Sequence, residues 1–283
     1  MAKQKILVTG SSGQVGRALC ALFENDIQAE VFPLTHKDLD ISSRDAVRRT
    51  VFSIEPNVIV NTAAMTNVDL CETKQDEAYA INSLGVRNLT QASRDIDAQL
   101  VHISTDYVFD GEKKSPYTEF DIPNPQSVYA TSKLGADTEA LNYDKSTVLR
   151  VAWVFGNELG DFFSWVLAGV KNQNISSLIG DAYCTPTYSV DVASVISHTI
   201  KNRLYGLINV ANSGVTTRLE MGQIFLEKMG IDFTFGSITD ASLNRPATRP
   251  LYSALSTETL KQVSGIQMRN WQDALDEHIM KFK

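Results

Sequence analysis

The chain is poor in the residues that staple a fold or hold a metal. Three cysteines occur among 283 residues, Cys20, Cys71 and Cys184, with no CxxC pair between them. That excludes a disulfide framework and a cysteine zinc site, and it is the usage expected in a reducing compartment. The four histidines are scattered without ligand spacing, so no metal is expected, and His102 reads as a half-buried strand residue. Basic residues are not in excess: 26 Lys+Arg against 33 Asp+Glu leave a net charge of −7, which argues against nucleic acid as a partner. No apolar run approaches the roughly 18 residues of a membrane helix, and the opening MAKQKILVTG lacks a signal-peptide layout. Repeats, low-complexity tracts and long charge runs are also lacking. What is there, 43% hydrophobic and 21% charged residues, is the make-up of a globular protein, with the cytoplasm as its expected location. At roughly 150 residues per domain, the length fits one large domain or two intimate ones.

Up to Val151, short apolar runs alternate with amphipathic stretches. The strand candidates are Ile6–Val8, Glu30–Leu34, Val58–Asn61, Leu100–Ser104 and Thr147–Val151. Their near-continuous apolarity suits strands buried on both faces of a parallel sheet. Val15, Leu19 and Leu22 share a helical face in the first connection, and Ala78, Ile81, Leu84 and Leu89 supply apolar positions in the third. This alternation predicts an α/β fold, a Rossmann-type doubly wound parallel sheet. Beyond Val151 the rhythm loosens, with helices predicted at Phe162–Lys171, Asp191–Asn202, Arg218–Met229 and Trp271–Lys281 and a strand at Leu207–Val210. No flexible linker separates the halves. The expected division is a dinucleotide-binding domain from 1–152 and about 188–210, with a smaller, interleaved C-terminal substrate-binding lobe from about 153–187 and 211–283.

The run Thr9-Gly10-Ser11-Ser12-Gly13-Gln14-Val15-Gly16 follows the first strand and opens the first helix. Gly10 permits a tight turn, Gly13 lets the backbone approach a pyrophosphate, and Gly16 allows close helix–strand packing. The helix N-terminus, reached through Ser12, Gln14 and Val15, offers unpaired N–H groups to phosphates. The GxxGxxG spacing resembles the extended branch of the short-chain dehydrogenase/reductases. An NAD-preferring site usually carries an acid after the second strand; here stand Thr35, His36 and Lys37, which favours NADPH, with NADH as the alternative. Asp40 and Ile41 fall where this superfamily places a contact to adenine. Ala63, Ala64 and Met65, after the third strand, are expected to pass close to the cofactor.

Tyr129 and Lys133 form a YxxxK motif in a helical stretch, which puts phenol and ammonium one turn apart. A free phenol has a pKa near 10, and a lysine cation beside it would lower that value towards the working range of a proton donor. Thr105, at the carboxyl end of the fourth strand, is positioned to hydrogen-bond a substrate carbonyl. Asn82 matches the helix-interrupting asparagine of the superfamily.

With these residues the chain is similar to the dTDP-4-dehydrorhamnose reductase family. The matching stretches are Gly10–Gly16, Asn61–Glu72 (NTAAMTNVDLCE), Ser104–Gly111 (STDYVFDG), Tyr129–Lys133, Leu149–Gly156 (LRVAWVFG), Thr185–Thr187 and Arg249–Leu255. The resemblance implies NAD(P)H-dependent reduction of the 4-keto group of dTDP-4-dehydro-β-L-rhamnose, with Tyr129 as proton donor, Lys133 on the nicotinamide ribose and Thr105 orienting the carbonyl. Asp106 and Trp153 fall in substrate-contacting stretches. The implied partner is a nucleotide sugar, and a homodimer is implied as well. The family's interfacial magnesium needs carboxylates, and Arg17 in the first helix supplies none, so no metal is predicted. Met65, Ala130, Cys184 and Arg218 depart from the usual Tyr, Gly, Gly and Trp. Another nucleotide-sugar reductase or epimerase, or a non-catalytic NADP-binding regulatory subunit, would share much of the pattern.

Overall fold

The apolar runs assemble into a central sheet whose two faces are both covered by helices. The structure is a computed structural model that describes residues 3–24, 26–156 and 160–282. Strands β1 (Gln4–Thr9), β2 (Ala29–Leu34), β3 (Val58–Asn61), β4 (Gln99–Thr105) and β5 (Ser146–Val151) join an edge strand, Gly206–Val210. They form a six-stranded parallel sheet in the order Gly206–Val210, β5, β4, β3, β1, β2. β2 lies at the edge and is only partly buried, which is why it tolerates Pro33, a residue without an N–H for a further neighbour.

The helices are α1 (Gln14–Phe23), α2 (Arg44–Ile54), α3 (Val68–Thr73), α4 (Gln75–Tyr79), α5 (Gly85–Asp95), α6 (Val128–Leu141), α7 (Phe162–Lys171), α8 (Ser189–Asn202), α9 (Arg218–Lys228), α10 (Glu258–Ser264) and α11 (Trp271–Ile279). Successive strand residues point to opposite faces. Ile6, Val8 and Val58 therefore pack with Leu19 of α1 and Val192 and Ile196 of α8 on one face. Leu7, Ile59 and Leu100 pack with Val47, Leu89 and Ala136 of α2, α5 and α6 on the other. A separate core, with Phe155, Phe163, Tyr188, Phe225 and Trp271, fills the C-terminal lobe and encloses a buried Asp161–His278 pair at 2.8 Å. α10 sits on the sheet side, its Leu260 in the same core as α1 and α8.

Two helical faces differ from the pattern in the sequence. In α1 the buried face runs Val15, Leu19, Phe23, while Leu22 is exposed. In the third connection, α4 and α5 are joined by a π-helical turn, Ala80–Leu84. The extra residue rotates the register and turns Leu84 to solvent, while Ala78 and Leu89 stay buried. Asn82 occupies that turn. Its Oδ1 accepts from the Met65 N–H at 2.8 Å, and its Nδ2 donates to Met65 O at 3.1 Å and Ser132 Oγ at 2.9 Å. The side chain pins the loop after β3 to α6.

Candidate active site

The chain leaves β1 towards β2 on one side and crosses to β3 on the other, so the carboxyl ends of β1 and β3 flank a topological switch point where parallel sheets take ligands. The turn after β1 fits this crevice because it lacks side chains. Gly10 has φ +67°, and a Cβ there would lie 2.6 Å from Ala63 N. A Cβ at Gly16 would lie 2.4 Å from Gly10 O. At Gly13 it would meet only Gly10 O, at 3.3 Å, because that position faces open space.

That space is a cleft of about 720 Å³, a volume suited to a cofactor-sized ligand. Its walls bring together Gly10, Ser12, Gly13, Gln14, Val15, Asp40, Ile41, Ala63, Ala64, Met65, Thr105, Asp106, Tyr129, Lys133 and Trp153. Gly16 does not line it and acts through packing behind the turn. Gln14 Oε1 is buried with no hydrogen-bond partner among the described residues. With the cradle at Gly13 and the exposed N-terminus of α1, the cleft fits a dinucleotide. Near the adenosine end His36 lines the wall. Thr35 is instead spent on Asp38, its Oγ1 donating at 2.6 Å, and Lys37 is an exposed side chain outside the cleft lining. Asp40 is held by the Ser42 N–H and hydroxyl at 3.0 and 2.7 Å.

Tyr129 and Lys133 project from α6, whose start is fixed by Ser127 accepting from the Ala130 N–H and by Glu72 accepting from the Val128 N–H. Both are buried. The electrostatics correct the expectation of a lysine-lowered phenol. Burial pushes Tyr129 above its ordinary value, with the nearby Thr105 hydroxyl opposing. Lys133 is brought down to about 8 by burial, with Asp137 pulling the other way. The polar contacts of Lys133 lie away from the phenol: Nζ donates to Ile103 O at 2.7 Å and sits 3.1 Å from His102 Nε2. His102 is thus fully buried inside the site, not half-buried, and its imidazole is held far on the neutral side by burial and by Lys133. The strand alternation was the available signal, since His102 shares the α6-facing side of β4 with Leu100.

Thr105 ends β4 and caps the turn Asp106–Val108, its Oγ1 accepting from the Tyr107 N–H at 3.2 Å and bonding Asp106 Oδ1 at 3.1 Å. Burial raises Asp106 to about 7, against the Ser253 and Thr105 hydroxyls and Arg218. Its Oδ2 and Trp153 Nε1 are buried without partners among the described residues. Trp153 holds φ +37°, a left-handed conformation that strains a bulky residue by on the order of 1–3 kcal/mol and clusters at functional sites. Arg218 covers its ring at 3.7 Å and Phe162 at 4.7 Å. The departure at Arg218 therefore places a cation at the edge of the site. Cys184 is buried near Asp106 and Arg218, Ala130 is buried in α6, and Met65 lines the cleft. Among the described residues no group of three His, Cys, Asp or Glu side chains is arranged to hold a metal, and no helix is long and apolar enough to cross a membrane.

A glycine turn at the switch point of a parallel sheet, with Thr, Tyr and Lys lining the same cleft, defines a Rossmann-type oxidoreductase of the extended short-chain class. A family model described as the RmlD substrate binding domain matches residues 4–283. The chain belongs to the dTDP-4-dehydrorhamnose reductase family. It is similar to the dTDP-4-dehydrorhamnose reductase of Aggregatibacter actinomycetemcomitans, 34% identical over 96% of this chain and 97% of that one. It is equally similar to the spore coat polysaccharide biosynthesis protein SpsK of Bacillus subtilis, 34% identical over 98% and 97%. Among solved structures, that of a Bacillus anthracis dTDP-4-dehydrorhamnose reductase in complex with NADP superposes with a TM-score of 0.95 at 30% identity, covering 99% of both chains.

Proposed function

We propose that this protein reduces the 4-keto group of dTDP-4-dehydro-β-L-rhamnose to give dTDP-L-rhamnose, with NADPH as reductant and NADH as a poorer substitute. The observation that carries the reading is one cleft running from the glycine turn to Thr105, Tyr129 and Trp153. Gly10, Ser12, Gly13, Gln14 and Val15 hold the pyrophosphate, Gly16 keeps the turn seated, Asp40 and Ile41 bound the adenine, and Ala63, Ala64 and Met65 pass along the cofactor. Bound NADPH supplies hydride to the carbonyl carbon. Thr105 orients the carbonyl, and Tyr129 gives its proton to the carbonyl oxygen as negative charge develops there. Its raised pKa keeps that proton in place at neutral pH. Lys133 steadies the ribose and the phenol. Asp106 and Trp153 meet the sugar, their unpartnered Oδ2 and Nε1 serving its hydroxyls.

Residues 1–152 and about 188–210 carry the cofactor, and 153–187 with 211–283 cover the sugar nucleotide, a division supported by the separate aromatic core of the C-terminal lobe. The reading extends to a homodimer in the cytoplasm, supported there by three unpaired thiols. The product would feed polysaccharide synthesis, in line with the name of the similar SpsK protein. The test is product analysis: one dTDP-L-rhamnose formed per NADPH consumed supports the reading. NADPH binding with no product from this sugar would remove it.

A further inference from the structure

The strand register lines up three polar side chains beneath Lys133. Thr9 of β1 pairs with Asn61 of β3, and Asn61 pairs with His102 of β4, so all three project on the α6 side of the sheet. All are buried. Their contacts form one line. Asn61 Oδ1 receives the Thr9 hydroxyl at 2.6 Å and the Ala63 N–H at 3.2 Å. Asn61 Nδ2 lies 3.0 Å from His102 Nδ1, and His102 Nε2 lies 3.1 Å from Lys133 Nζ.

The direction of the line follows from the one member that cannot reverse. The Ala63 N–H only donates, so the Asn61 oxygen must face it and the Asn61 amide nitrogen must face His102. Nδ1 of His102 is then an acceptor, and the proton of the neutral ring sits on Nε2, aimed at Lys133. An ammonium has no lone pair with which to accept it, whereas an amine has one. The amine form satisfies every group: Nε2–H donates to Nζ, and Nζ donates to Ile103 O at 2.7 Å.

We propose that Asn61 and His102 are positioning residues that orient Lys133 and favour its amine form over the ammonium in the cofactor-free protein, so that Lys133 holds its proton more firmly once ligands enter the cleft. The inference deepens the reductase reading of the same site and rests on it for its catalytic meaning. The other charged and titratable groups around Lys133 are Tyr129 one turn earlier on α6, Asp137 one turn later, and Arg150 of β5, whose Nε bonds Asp137 at 3.0 Å. Asp137 favours the cation, so the line through His102 works against it together with burial.

The experiment is NMR on the cofactor-free full chain, reading the His102 tautomer from imidazole nitrogen shifts and the Lys133 ionisation from side-chain carbon shifts in lysine-labelled protein. In the wild type, His102 should carry its proton on Nε2 and stay neutral from pH 5 to 8, while Lys133 titrates well below the other lysines. Asn61→Asp replaces the donor facing Nδ1 by an acceptor, so the proton should move to Nδ1, leaving Nε2 to accept from an ammonium. The Lys133 midpoint should then rise by about one pH unit or more. An Nδ1–H tautomer in the wild type overturns the proposal without any variant. So does an unchanged Lys133 midpoint in folded Asn61→Asp. Neither result depends on turnover, so a failure of the substrate assignment would be seen separately, as missing product.

Discussion

Replacing Gly16 by alanine should damage the fold and the cofactor site together, whereas the same change at Gly13 should damage only the site. The Gly16 Cβ would stand 2.4 Å from Gly10 O and 2.8 Å from Ser11 Cα. Ordinary contact starts near 3.5 Å, so the turn must move by about 1 Å. Both obstacles are backbone, which cannot swing away as a side-chain tip can. Overpacking of this kind costs about 1–3 kcal/mol, and the rigid neighbours place this case at the upper end. With roughly 2–4 °C per kcal/mol for a chain somewhat smaller than this one, the melting temperature should fall by about 4–10 °C. The displaced turn carries the amides at the start of α1, so NADPH affinity should fall by about 10- to 100-fold, the equivalent of about 1.4–2.8 kcal/mol. At Gly13, φ is −76° and ψ 172°, which alanine adopts freely, and its Cβ faces the cleft. Gly13→Ala should therefore melt within a few degrees of wild type yet bind NADPH poorly. Thermal melting with and without NADPH, together with fluorescence titration, reads both quantities. A Gly16→Ala protein that melts with the wild type would refute the packing argument.

Three further outcomes follow from the site and the lobe. Because burial raises Asp106 to about 7, its favourable contribution is full below about pH 4 and is lost as pH rises through 7; Asp106→Asn should be the more stable protein at pH 8 by about 2–4 kcal/mol and lose that advantage towards pH 4, as followed by denaturant melts. Arg218→Ala removes the cation stacked on Trp153 and should raise KM for the sugar nucleotide by about tenfold while leaving the Kd for NADPH unchanged, a split visible in steady-state kinetics and cofactor titration. Burial would raise Asp161, but His278 and the N–H groups of Ser164 and Gly156 hold it below the usual carboxylate range; its contribution is present above about pH 4 and lost on acidification, so Asp161→Asn should flatten the acid limb of the stability profile.

The glycine turn, the strand ends and the Tyr129–Lys133 pair were legible because each is a local pattern: a strand running into glycines, an i,i+4 spacing, a threonine closing an apolar run. The cleft residues named from those patterns, and Asp40, Ile41, Asp106 and Trp153 named from the family resemblance, line one cavity, with Gly16 behind it. What escaped depends on register and on long-range packing. His102 reads as a strand residue until β3 and α6 are laid on either side of it, and then it becomes the link between Asn61 and Lys133. Lys37 looked suited to a 2′-phosphate, yet Thr35 turns back onto Asp38 and Lys37 stays exposed outside the cleft. Leu84 carries an apolar helical spacing that the π-helical turn around Asn82 overrides. Proximity alone suggests a Tyr129 phenol lowered by Lys133; burial instead raises it, and what opposes that rise is the Thr105 hydroxyl, not the lysine.

The central claim is that Tyr129 donates the proton in an NADPH-dependent ketone reduction at this cleft. The direct measurement is NADPH oxidation at about 340 nm with dTDP-4-dehydro-β-L-rhamnose, comparing wild type with Tyr129→Phe at matched NADPH saturation. The wild type should turn over, and the variant should show a kcat lower by about 10²- to 10⁴-fold with NADPH affinity preserved. Equal turnover by the two proteins would contradict it.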